Sequence, residues 1–234
     1  MPESLDAYRE RTAYMLDSLP RSGGLRTAGG LVHKVAPGGQ LLPFYGDTVI
    51  FDLPEDMKRW LLSVQDTLYA ACGECLAERL DADSFHITLH DLRSSPERMP
   101  DGIEQDREAV RAILRSAQDV PRFIRVRAVC ALSMVSTSVV MGFEPEREAD
   151  CHALMTLHER LQGVVALPYP LTLHATLAYY RPGEYGEETL WRLRDVLSRA
   201  GRERGVWTLD MRDLRFATFE SMSAYQMDEA SWAE

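Results

Sequence analysis

Two pentapeptides of this 234-residue chain share one pattern: Phe85-His86-Ile87-Thr88-Leu89, and, 88 residues later, Leu173-His174-Ala175-Thr176-Leu177. Each lies in a short run of β-branched and aromatic residues, which reads as a strand. Side chains alternate along a strand, so His86 and Thr88 share one face, as do His174 and Thr176. His and Thr are ordinary strand residues, and one such segment would say little. Two copies at equivalent places in a repeat constrain the fold, because each half must then build the same strand in the same context.

The pattern along the chain supports that equivalence. In the first half, Asp47–Leu53 reads as a strand, and Pro54 with Glu55 and Asp56 opens a helix to about Leu80. Ser84–Leu92 is the strand with His86, Ser94–Asp101 a loop, Glu104–Gln118 an amphipathic helix and Arg122–Leu132 a strand. In the second half the order returns: strand Ser136–Phe143, helix Glu146–Leu161, strand Leu171–Tyr180, helix Glu187–Arg202 and a final strand or broken strand, Val206–Phe219. A shift of 88 lays 47–53 on 135–141, and 122–131 on 210–219. The expected class is α+β, with two pseudo-symmetric β-α-β-α-β lobes. Lobes built alike pack about a pseudo-two-fold axis, which brings equivalent strands to opposite walls of one cleft. The expected organisation is an N-terminal extension over 1–45, one bilobal domain over 46–220 (lobes 46–132 and 135–220) and an acidic tail over 221–234. In the extension, a helix over Leu5–Leu19 gives way to Gly23-Gly24, Gly29-Gly30 and Pro37-Gly38-Gly39, which mark loop.

Charge and composition bound the function. A net charge of −10 argues against a wide footprint on long duplex nucleic acid, which needs a basic surface; a small anionic substrate held by local donors is compatible. No basic segment followed by an apolar stretch opens the chain and no run is long enough to cross a bilayer, so the expected protein is soluble and cytoplasmic, with no membrane partner. Cys72, Cys75, Cys130 and Cys151 are too few and irregular for a disulfide framework. The C-x-x-C pair Cys72/Cys75 continues the helical stripe Leu61, Val64, Leu68, which favours core packing over zinc or redox chemistry.

Other histidines and cations carry weaker signals. His33 and Lys34 read as surface residues, His152 as exposed, and His158 as a core or boundary histidine on the face of Leu154, Leu157 and Leu161. His86 and His90 are i and i+4 on one strand face, about 13 Å apart at the backbone, too far to chelate one ion. Metal-dependent hydrolysis is therefore only the runner-up enzyme mechanism, and the expected site has no metal ligands and no cofactor.

The segments His86-Ile87-Thr88-Leu89 and His174-Ala175-Thr176-Leu177 resemble the paired H-x-[ST]-h motifs, h being apolar, of the two-histidine (2H) phosphoesterase superfamily. The similarity covers roughly residues 45–219, and Leu42-Pro43-Phe44-Tyr45-Gly46-Asp47-Thr48 resembles a little-characterised bacterial and fungal branch of it. The resemblance implies a bilobal α+β fold with mainly antiparallel sheets around a central groove. It also implies metal-independent hydrolysis of a phosphodiester, often a 2′,3′-cyclic phosphate or another 2′-linked nucleotide, as in RNA processing. Some RNA-processing members carry a basic residue shortly after the motif, whereas here the motifs run on as His90-Asp91 and Ala178-Tyr179.

Hydrolysing a phosphodiester takes a base for water on one side and an acid for the leaving oxygen on the other, roles that suit His86 and His174. Thr88 and Thr176 would donate to the non-bridging oxygens. Further candidates for substrate binding are Tyr180, six residues on from His174; Arg127 and Arg215, related by the same shift of 88; and Tyr45, through the loop resemblance. The expected partner is a small nucleotide or RNA-end phosphodiester, met by a monomer. The alternative from another class is a non-catalytic nucleotide- or RNA-end-binding module of the same fold.

Overall fold

In the computed structural model, which describes residues 2–13, 15, 18–98, 101–200, 205–230 and 232, two four-stranded sheets carry the motif strands at their edges. The chain runs α1 (Leu5–Thr12), β1 (Leu25–Arg26), β2 (Tyr45–Asp52), α2 (Glu55–Cys72), β3 (His86–Ser95), α3 (Ile103–Ser116), β4 (Phe123–Met134) and β5 (Ser138–Pro145). It continues through α4 (Glu148–Leu161), β6 (His174–Tyr179), β7 (Glu184–Tyr185), α5 (Glu187–Arg199), β8 (Val206–Asp210), β9 (Leu214–Ser221) and β10 (Ala224–Met227). One sheet has the order β10-β9-β2-β3 and the other β6-β5-β4-β8, every pairing antiparallel; β1 and β7 form a separate ribbon. The α+β class and the antiparallel sheets are as expected.

The lobes are not the contiguous halves expected at 46–132 and 135–220. β4, from the first half, pairs with β5 of the second, and β9, from the second, pairs with β2 of the first. The reason is local. Met134 and Ser138 face each other across a tight turn in which Val135 (φ 43°) and Ser136 (φ 56°) take left-handed backbone, and a hairpin this short pairs its own strands. The shift of 88 maps β4 onto β9, so each half gives its last strand to the other sheet and the pseudo-symmetry survives the exchange. The outer strands β8 and β10 have no such correspondence.

Helix α2 shows how the sequence sets an element. Pro54 precedes it, Glu55 and Asp56 meet the positive end of its dipole, and Met57, Leu61, Val64, Leu68 and Cys72 form its buried stripe. It ends at Cys72, short of the expected Leu80, where the chain tightens into a 3₁₀ turn over Gly73–Cys75. Cys72 and Cys75 are both fully buried, with the Cys75 thiol donating to the Cys72 carbonyl at 3.2 Å. The helix expected over 187–202 ends at Arg199, and Arg202 lies outside the described residues. No helix among the described residues is long and apolar enough to cross a membrane.

Neither terminus is an appendage. Leu5, Tyr8, Leu25, Leu31 and Val35 are buried in the main core, so residues expected as an extension complete it. The Tyr8 hydroxyl donates to the Phe143 carbonyl at 3.0 Å and accepts from the Leu173 amide at 2.9 Å, tying α1 to the strand that leads into His174. The expected helix Leu5–Leu19 stops at Thr12, whose hydroxyl bonds back to the Tyr8 carbonyl; residues 14, 16 and 17 are outside the described set. At the other end, residues expected as a tail form β10 on β9.

Candidate active site

The two edge strands β3 and β6 contact each other without pairing, and the groove where they meet encloses about 620 Å³. His86, Thr88, His174 and Thr176 all line it. The repeat extends to the hydrogen bonds that aim the imidazoles. His86 Nδ1 donates to the Ser84 carbonyl at 2.7 Å, and His174 Nδ1 donates to the Thr172 carbonyl at 2.8 Å. A carbonyl oxygen only accepts, so Nδ1 carries the proton in both rings and Nε2 is left as a lone-pair nitrogen at the groove.

Each motif ends in the same irregularity. In β3, Val49 pairs with His90 but Ile50 with Thr88, which makes Leu89 an extra residue; in β6, Val139 pairs with Ala178 but Val140 with Thr176, which makes Leu177 extra. These are β-bulges, and each reverses the alternation of side chains beyond it. Leu89 and His90 are buried in succession, as are Leu177 and Ala178, and the next less-buried side chains at the groove are Asp91 and Tyr179.

The bulges correct two expectations. Tyr180, expected on the face of His174, is fully buried away from the groove, and Tyr179 stands in its place. His90, expected on the face of His86, is only 1% exposed and packs on His158 at the inner border of the groove, with ring centroids 4.9 Å apart. His158 is a satisfied histidine whose Nδ1 donates to the Leu89 carbonyl at 3.0 Å, although its ring also borders the groove.

Arg127 and Arg215 do not reach the groove. Arg127 bonds Glu146 at 3.4 Å; Arg215 reaches Asp213 at 3.7 Å and the Asp228 carbonyl at 3.3 Å. The acceptors that hold both lie outside the groove lining. Tyr45 begins β2 under the Arg98 guanidinium, 5.3 Å from its ring centre, and is not among the groove-lining residues.

Besides Arg93 on β3, two cations reach the groove from the N-terminal segment. Arg11 donates to the Leu171 carbonyl at 2.7 Å and to the Thr172 hydroxyl at 3.3 Å, and it pairs with Glu3 at 2.8 Å. Lys34, expected at the surface, lines the groove with its ammonium 4.7 Å from the centre of the Phe44 ring. No motif marks Lys34; its position depends on the loop between β1 and β2 folding over the sheet. His33 beside it is exposed, as expected.

Burial pushes the His86 imidazole down to about 4; the Ser84 carbonyl opposes the shift and the nearby His174 adds to it. His174 is also lowered by burial, against the pull of the Thr172 carbonyl and of Asp91. Both rings are therefore neutral at pH 7 in the free groove, and an incoming anion favours protonating one of them. Asp91 accepts from the Tyr169 hydroxyl at 3.0 Å and raises the proton affinity of both histidines. Among the described residues no group of three His, Cys, Asp or Glu side chains is placed to hold a metal ion.

No protein-family model and no curated protein sequence matches the chain. Solved structures do. A conserved protein of unknown function from Agrobacterium tumefaciens, ATU0111, superposes with a TM-score of 0.68 at 17% identity, over 92% of this chain and 98% of that one. TT0787 of Thermus thermophilus superposes with a TM-score of 0.51 at 16% identity, over 80% of this chain and 99% of that one. Escherichia coli LigT complexed with 3′-AMP gives 0.49 at 12% identity, over 80% and 96%. The chain therefore shares the fold of ATU0111 and TT0787, built here as two antiparallel sheets that meet at edge strands, each of which carries one H-x-T-L segment.

Proposed function

We propose that this protein is a metal-independent phosphodiesterase that hydrolyses a 2′,3′-cyclic or other 2′-linked nucleotide phosphodiester by general acid–base catalysis with His86 and His174. The observation that carries the reading is the matched pair of imidazoles, each held as the Nδ1–H tautomer by a carbonyl two residues upstream, each offering Nε2 to one groove. One Nε2 takes the proton of the attacking water. The other ring, protonated on Nε2, gives its proton to the departing ribose oxygen as the P–O bond breaks. The two rings exchange protonation states over one turnover, and water or buffer restores them. Thr88 and Thr176, each on the groove face beside its histidine, donate to the non-bridging oxygens, whose charge redistributes in the transition state.

The test is a panel of 2′,3′-cyclic nucleotides, cyclic dinucleotides and 2′-5′ oligonucleotides incubated with the protein in EDTA. Turnover of at least one class, lost in His86→Ala and in His174→Ala, is the expected result. Turnover that needs added metal would refute the mechanism; tight nucleotide binding with no turnover would make the protein a binding module.

A further inference from the structure

A row of aromatic rings leads away from His86 along one wall of the groove. The Tyr225 ring, on β10, lies 4.5 Å from the His86 ring; Phe219 lies 5.4 Å from Tyr225; and Phe44 stacks on Phe219 at 6.3 Å with an interplanar angle of 13°. Phe44, Phe219 and Met222 form a small apolar cluster of their own, separate from the main core, and all three line the groove. The close approach of this wall to β2 depends on Gly46, where a Cβ would sit 2.5 Å from the Phe219 ring.

Lys34 stands at the end of that row. Its ammonium is over Phe44, three ring contacts removed from the histidine. Its backbone is fixed on both sides: the Lys34 amide donates to the Leu31 carbonyl at 2.9 Å, the Leu42 amide donates to the Lys34 carbonyl at 2.8 Å, and Val35 bridges to Leu41. The other two long cations at the groove have acidic partners, Arg11 in Glu3 and Arg93 in Asp106. Lys34 makes no ion pair among the described residues, although the chain carries a net charge of −10. Asp91 attracts it electrostatically without forming a pair. A half-buried ammonium held over an aromatic face without an ion pair is completed by an anion that enters the groove.

We infer that Lys34 and the Phe44–Phe219–Tyr225 wall form a second anion subsite, so that the favoured substrate is a nucleoside phosphodiester carrying a further phosphate at its 5′ position. The scissile phosphate lies between the histidines, the flat base lies along the ring wall, and the second phosphate takes a charge-assisted hydrogen bond from Nζ. The inference rests on the two-histidine reading for where the first phosphate sits.

Binding of two non-hydrolysable product-like probes, adenosine 2′-monophosphate and adenosine 2′,5′-bisphosphate, measured by calorimetry tests it separately from turnover. The wild-type protein is expected to bind the bisphosphate about tenfold tighter or more, with Lys34→Met and Lys34→Gln bringing the two affinities within about twofold and Lys34→Arg keeping the preference. The same preference in folded Lys34→Met or Lys34→Gln as in wild type overturns the subsite. So does a wild type that does not distinguish the probes or binds neither. A preference that depends on Lys34 in a protein that hydrolyses nothing on the panel keeps the subsite and removes the phosphodiesterase reading.

Discussion

Two histidines with the same tautomer and the same kind of anchor do not have the same surroundings, and pH separates their consequences. Because burial holds His86 and His174 below the ordinary imidazole value near 6.5, the free protein loses its protonated acid early as pH rises. The bell-shaped profile of kcat/KM is therefore expected to peak below pH 6.5. The kcat profile, which reports the complex, should peak at higher pH because the bound phosphodiester anion favours the imidazolium. A rate that climbs monotonically from pH 5 to 9 would contradict paired roles. His90 gives a separate stability signal, since its folded value falls to about 4. The unfolded chain binds that proton near pH 6.5 and the folded chain does not, so this contribution to stability is lost as pH falls from about 6.5 toward 4. Asp47 acts in the opposite sense, with burial raising it to about 6, so that the folded chain takes its proton first. Melting curves of His90→Phe and wild type at pH 7.5 and 5 should show similar stability at the higher pH and a smaller acid loss in the variant, by up to about 2 kcal/mol. At this scale the motif residues and their partnership are legible in the sequence. Lys34 is not, because its place in the groove comes from a loop with no periodicity, and neither is Asp91, whose face depends on a bulge.

Along each motif strand the alternation of side chains is kept for two residues and then broken. From His86 to Thr88 and from His174 to Thr176 the period of two is intact; Leu89 and Leu177 then interrupt it at equivalent points. Nothing in Thr-Leu-His-Asp or Thr-Leu-Ala-Tyr signals an extra residue, because a bulge is specified by the partner strand as much as by its own sequence. The bulges predict a contrast between neighbours. Tyr179→Ala, on the groove face, is expected to lower kcat/KM by about tenfold, whereas Tyr180→Phe, in the core, should leave it within about twofold. Equal effects would mean that the alternation runs unbroken. The exchange of β4 and β9 between sheets is hidden from the sequence for a related reason. The 88-residue repeat fixes which strands correspond, but correspondence says nothing of pairing, which the short turn at Val135 and Ser136 decides.

At the scale of the molecule, the segments outside the repeat complete the site. β10 brings Tyr225 against His86, the loop before β2 brings Lys34 and Phe44, and α1 holds the approach to His174 through Tyr8. Tyr8→Phe removes a hydroxyl that serves a buried carbonyl and a buried amide, so it should cost about 1–3 kcal/mol of stability. Because the orphaned amide belongs to Leu173, turnover should fall more than substrate affinity. An unchanged melting temperature would show that the N-terminal helix is not part of the cooperative unit. The whole molecule, on this mechanism, exists to bring two imidazoles to one phosphate. The most direct test is a kinetic cycle in EDTA with wild type, His86→Ala, His174→Ala and the double variant on the best substrate found. Each single variant should lose about 10² to 10⁴-fold in kcat/KM, and the double variant little more than the worse single, because the pair acts as a unit. A single variant that keeps wild-type turnover would contradict the paired mechanism.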